Sequence, residues 1–74
     1  MKRDLLLHRI ECILSDNPTR WFTARGLQEA IIERFSTDVP YPNVIATLIK
    51  PLIRDGRIEV NEVRRRYEYR WGRR

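Results

Sequence analysis

The sequence predicts an α+β fold of three helices, one short strand and a C-terminal β-hairpin, and three observations lead there. Apolar residues recur at helical spacing in three segments, about 4–15, 23–35 and 42–54. From Ile58 to Trp71 that period gives way to alternation, broken only by Arg64-Arg65-Arg66. Pro18, Pro40 and Gly56 punctuate the ends of these segments.

Helix one starts at Asp4, a side chain suited to N-capping, and Leu6, Ile10, Ile13 and Leu14 form its core-facing stripe. Asp16-Asn17-Pro18 stops it, because proline lacks the next backbone donor and restrains the residue before it. Trp21-Phe22 reads as a very short strand that needs a partner. Thr23 caps helix two, whose stripe is Leu27, Ile31 and Phe35, and Ser36-Thr37-Asp38 ends it. Pro42 suits the first turn of helix three, and Ile45, Ile49 and Leu52 face inward. Pro51 lies inside that apolar pattern, so a kink or a tighter last turn is expected at Lys50-Pro51. Such a kink should leave Asn43, Thr47 and Lys50 on one undisturbed face. Asp55-Gly56 supplies the left-handed residue that closes the helix. In the hairpin, Ile58, Val60, Tyr67, Tyr69 and Trp71 are expected on a face packed against the helices, with Glu59, Asn61, Arg66, Glu68 and Arg70 on a charged one.

Seventy-four residues make one domain, near the size at which folding buries only about 60% of the unfolded surface. A catalytic cleft with its supporting shells is hard to house at that size, so binding is expected and an enzyme is not. The net charge is +5, and residues 54–74 hold eight basic and four acidic groups, so +4 of it sits there. Arginine clustered on a hairpin is the footprint of a phosphate binder; the plainer reading is a solvated face. Cys12 is the only cysteine, which excludes an internal disulfide and a cysteine-rich zinc cage. His8 and Cys12 share a helix face at i, i+4, but two ligands do not close a zinc site, and neither metal nor cofactor is expected. The run Leu5-Leu6-Leu7 is cut at once by His8 and Arg9, and no stretch is long enough to span a bilayer. A cytoplasmic protein, nucleoid-associated if it binds DNA, with no membrane partner is the expectation.

Trp21-Phe22-Thr23-Ala24-Arg25-Gly26-Leu27 and Ile45-x3-Ile49-x2-Leu52-Ile53-x-Asp55-Gly56-x-Ile58 carry a family resemblance. With the element order from Leu5 to Trp71, they are similar to the winged helix-turn-helix superfamily, in particular its small bacterial, archaeal or viral transcription regulators. The resemblance implies double-stranded DNA as partner, with helix three in the major groove and the hairpin as the wing. Winged helices also serve as protein-interaction modules in larger complexes, and this is the alternative. Under the first reading Tyr41, Asn43, Thr47 and Lys50 are the base-reading candidates. Asn43 can bridge adenine N6 and N7, Thr47 can use its hydroxyl or its methyl, and Lys50 can reach guanine or a phosphate. Arg64, Arg65 and Arg66 at the wing tip, with Arg25, are candidates for the backbone or the minor groove. Lys2, Arg3 and Arg20 are further phosphate candidates. Each of these residues has an ordinary solvated role as its alternative. Tyr67, Tyr69 and Trp71 could stack on single-stranded bases, but core packing is the expected role. A homodimer, if formed, would use Leu5, Leu7 and Cys12, which lie off the core stripe of helix one.

Overall fold

The computed structural model describes residues 3–72, with the side chain of Arg3 left out. The chain is a small α+β domain: α1 (Arg3–Asp16), α2 (Ala24–Phe35), α3 (Pro42–Leu48), α4 (Lys50–Arg54), β1 (Ile58–Val63) and β2 (Arg66–Trp71). The two strands form an antiparallel hairpin.

Leu6, Ile10, Ile13 and Leu14 of α1 are all buried, as their spacing requires. The helix begins one residue before Asp4, which therefore lies in its first turn instead of capping it. At the other end the Asn17 side chain donates to the Ile13 carbonyl at 2.9 Å, satisfying an acceptor whose helical donor, the Asn17 amide, turns to the Leu14 carbonyl at 3.2 Å instead. Thr23 does cap α2: its Oγ1 accepts from the Gly26 amide at 3.0 Å. Ser36 closes α2 with φ 49° and its amide donating to the Ile32 carbonyl at 2.9 Å. Leu27 and Ile31 are fully buried, whereas Phe35 is half-buried beneath the guanidinium groups of Arg9 and Arg34.

The disturbance expected at Lys50-Pro51 falls one residue earlier, at Ile49, where α3 ends with φ −84° and ψ −5° in the right-handed region. The Leu52 amide donates to the Ile49 carbonyl at 3.0 Å, the i→i−3 bond of a tighter turn. The proline ring at 51 crowds the preceding turn and offers no amide to it, so the chain ends one helix and starts another. Pro51 then occupies the first turn of α4, where no donor is needed, just as Pro42 does in α3. Ile45 and Ile49 are fully buried and Leu52 nearly so, so the break leaves the inward stripe intact. Gly56 follows with φ 81°, a left-handed conformation that glycine adopts without a Cβ clash.

The core joins these residues to Phe22, Ile58 and Tyr69, with Leu7, Ala24, Ala30, Leu48, Ile53 and Trp71 packed around it. Each fully buried isoleucine or leucine contributes on the order of 1.5–3 kcal/mol relative to exposure, which is how a chain this short holds together. Phe22 finds the partner that its short segment needs: its amide donates to the Tyr69 carbonyl at 2.8 Å and its carbonyl accepts from the Tyr69 amide at 2.7 Å. β2 is thereby paired on both sides at Tyr69, with β1 across from it. Burial, with a smaller contribution from the neighbouring Tyr67 hydroxyl, raises the Tyr69 phenol above its usual pKa of 10.0. An ion pair between Arg57 and Glu11, 3.0 Å apart, links the start of the hairpin to α1. At the far end of β2 the Gly72 amide donates to the Arg57 carbonyl at 2.7 Å. A Cβ at Gly72 would lie 2.4 Å from the Gly56 carbonyl oxygen, so only glycine fits this approach.

Candidate nucleic-acid interface

The register pairs Ile58 with Trp71, Val60 with Tyr69, Glu62 with Tyr67 and Val63 with Arg66. The loop is therefore only two residues, Arg64 and Arg65, and Arg66 belongs to β2. Both loop residues have positive φ, 50° and 67°. This is the pattern of a type I′ turn, whose twist suits a hairpin but whose two positions normally go to Asn and Gly. For a residue with a Cβ, each left-handed position costs roughly 1–2 kcal/mol. Two arginines hold them here.

Inward from the tip, the alternating pattern did not translate wholly into burial. Ile58 and Tyr69 are buried and Trp71 packs against the core. Val60, expected on the same packed face, is 43% exposed, and Tyr67 is 54% exposed. Core packing for Tyr67 is thus corrected: it lies one pair from the turn, where the helices border the ring without enclosing it. The charged face holds an ion pair between Arg70 and Glu59 at 2.7 Å, and the Arg70 guanidinium also lies over the Trp21 ring, 4.4 Å from its centroid.

Tyr41 precedes α3 as its N-cap residue, makes no side-chain cap bond and is 77% exposed. Asn43 and Thr47 are exposed on α3. The Thr47 hydroxyl donates to the Asn43 carbonyl at 3.1 Å, so its proton is engaged by its own helix while its methyl and its oxygen lone pairs stay available. Lys50 is exposed but opens α4. Asn43 and Thr47 thus share α3 while Lys50 stands on the next segment, because the division at Ile49 falls before Lys50 and not after it.

Three of the four expected backbone-contacting arginines line neighbouring depressions beside the start of α2. Thr23, Ala24, Arg25, Arg66 and Tyr67 surround one, and Thr23, Val63, Arg64, Arg66 and Glu68 the other. Arg65 projects from the turn outside both. Arg25 is not a free charge, since it pairs with Glu29 one turn along α2 at 3.4 Å, although both side chains remain exposed. Among the described residues no carboxylate lies within ion-pair distance of Lys50, Arg54, Arg64, Arg65 or Arg66. Arg20 lies over the Phe22 ring, 4.5 Å from its centroid. Lys2 and the side chain of Arg3 lie outside the described residues.

Ala46, Lys50, Ile53, Val60, Tyr67 and Tyr69 line a cleft of about 340 Å³ between α3, α4 and the two strands. Sequence reasoning missed this cleft, because the division that leaves α4 only five residues long against six-residue strands appears only in the folded chain.

On α1, Cys12 Sγ and His8 Nε2 are 3.6 Å apart, and among the described residues no group of three or more His, Cys, Asp or Glu side chains is placed to hold a metal. Of the α1 residues expected at a dimer contact, Leu7 packs on the core and Cys12 is half-buried, leaving Leu5 exposed at 44%. Among the described residues, no helix is long and apolar enough to cross a membrane. No protein-family model, no curated protein sequence and no solved structure matches this chain.

Proposed function

We propose that this chain is a winged helix-turn-helix protein that binds double-stranded DNA, acting as a small transcriptional regulator. In this reading α3 enters the major groove and the hairpin is the wing. The observation that carries it is the set of cations without carboxylate partners, Lys50 on α4 and Arg64, Arg65 and Arg66 at the hairpin end, next to an α3 whose Asn43 and Thr47 face solvent. Charges left uncompensated at one end of a small domain favour a polyanion. Tyr41 and Asn43, at the start of α3, are the residues best placed to touch base edges, and Thr47 offers its methyl to thymine. Lys50, Arg25 and the wing arginines then hold phosphates or enter the minor groove, positioning the protein without reading sequence.

The second reading is a protein-interaction module, and the apolar cleft lined by Ile53, Val60 and Tyr67 is what favours it. Titration of mixed duplex DNA at two salt concentrations separates the two. The DNA reading expects affinity to fall steeply with salt. In the triple variant Arg64→Ala, Arg65→Ala, Arg66→Ala, it expects weaker binding to all duplexes and a slope flatter by roughly one unit for each phosphate no longer neutralised. An unchanged slope, or no binding at low salt, would sink it.

A further inference from the structure

Tyr67 lines two depressions, one beside the start of α2 and one beside α3 and α4. Towards α2 it shares a hollow with Arg25 and Arg66; towards α3 and α4 it shares the cleft with Ala46, Ile53, Val60 and Lys50. The ring is thus more than half exposed, walled by apolar side chains on one side, and flanked by cations on both. None of the helices covers it, and the cleft is of a size that accommodates small ligands, which occupy ~300–1,000 Å³.

The occupant that fits has a flat apolar face and a negative charge on each side of it. A nucleotide within a strand has that chemistry: the base offers a π-face, and the phosphates 5′ and 3′ to it are anionic. A base inside a perfect duplex does not, because its neighbours cover both faces. We infer that Tyr67 is a stacking platform for an unpaired base, and that the DNA this face prefers is duplex carrying an unstacked or single-stranded nucleotide. In this arrangement Lys50 holds the phosphate on one side of that base, and Arg66 with Arg25 the phosphate on the other. Val60 and Ile53 exclude water from the rim of the stack. The inference rests on the DNA-binding reading and narrows it to a class of DNA.

The test is a fluorescence titration of a duplex containing one bulged 2-aminopurine, beside the same duplex fully paired. The expected result is binding of the bulged duplex about tenfold tighter than the paired one, with the fluorescence of the bulged base quenched on stacking. Tyr67→Phe keeps both the preference and the quenching, since the ring is what stacks. Tyr67→Ala brings the two affinities together and removes the quenching. Because Tyr67 contributes little to the core, its variants fold, and unchanged melting temperatures check that they do. Equal wild-type affinity for the two duplexes, or a preference that survives in Tyr67→Ala, overturns the platform and leaves duplex binding standing. Absence of binding to either duplex overturns the DNA reading itself, and the platform with it.

Discussion

At its base the hairpin is held from several directions, and at its tip it is held only by its own ladder. Around Tyr69 the strand is bonded to Phe22 on one side and lies against β1 on the other, over a core of α1, α2 and α4 residues. Four and five residues before it, at Arg65 and Arg64, the backbone adopts a conformation that arginine disfavours, and both residues are exposed. Most of the stability of this domain is therefore expected at the base. The tip is free to carry charge and to tolerate strain, and strain kept where nothing structural demands those side chains points to a role for the side chains.

The most severe way to probe this contrast is to truncate one tyrosine at each end. Tyr69→Ala removes a buried ring from the core and should cost about 3–5 kcal/mol, whereas Tyr67→Ala, on the same face of the strand but nearer its exposed tip, should cost less than about 1 kcal/mol. Urea titration of both variants reads the difference as a shift in midpoint; comparable losses would mean that the tip is packed as well as the base. Next in size is Gly72→Ala. With the Gly56 carbonyl in the way, the backbone at the base must move, and a loss of about 1–3 kcal/mol is expected, visible as a lower melting temperature. A neutral result would show that the closure between Gly72 and Arg57 is loose. The smallest effect has the opposite sign. Arg64→Asn with Arg65→Gly relieves the left-handed strain and should stabilise the fold by about 1–2 kcal/mol and, under the proposed DNA-binding function, weaken the affinity for duplex DNA. Stabilisation with binding intact would detach the turn from function; a loss of stability together with binding would show that the arginines hold the fold as well as the ligand.

Much of the fold was legible because it depends on local rules. The stripes of α1 and α2, the Thr23 cap, the left-handed Gly56 and the need of Trp21-Phe22 for a partner strand all follow from spacing and from backbone chemistry within a few residues. The position of the helix break was less legible. Pro51 announces that a helix cannot pass through it unchanged, but whether the chain bends or restarts depends on how Ile49 and Leu52 both reach the core. The restart at Lys50 keeps the two buried and puts Lys50 on a separate helical segment from Asn43 and Thr47.

For the candidate interface the division runs through a single strand. Alternation in β2 determines that Tyr67, Tyr69 and Trp71 share a face, since side chains two apart on a strand point the same way. It is silent on how far the helices extend beneath that face. Only the packing of short α4 against the hairpin base decides that Tyr69 is core while Tyr67 and Val60 stand over an open cleft. The charge at the hairpin end is likewise written in Arg64-Arg65-Arg66. The pairing of Arg25 with Glu29 is legible as well, since their i, i+4 spacing on α2 brings them together. The pairing of Arg57 with Glu11 and of Arg70 with Glu59 is not, because contacts between residues far apart in the chain depend on the completed tertiary structure.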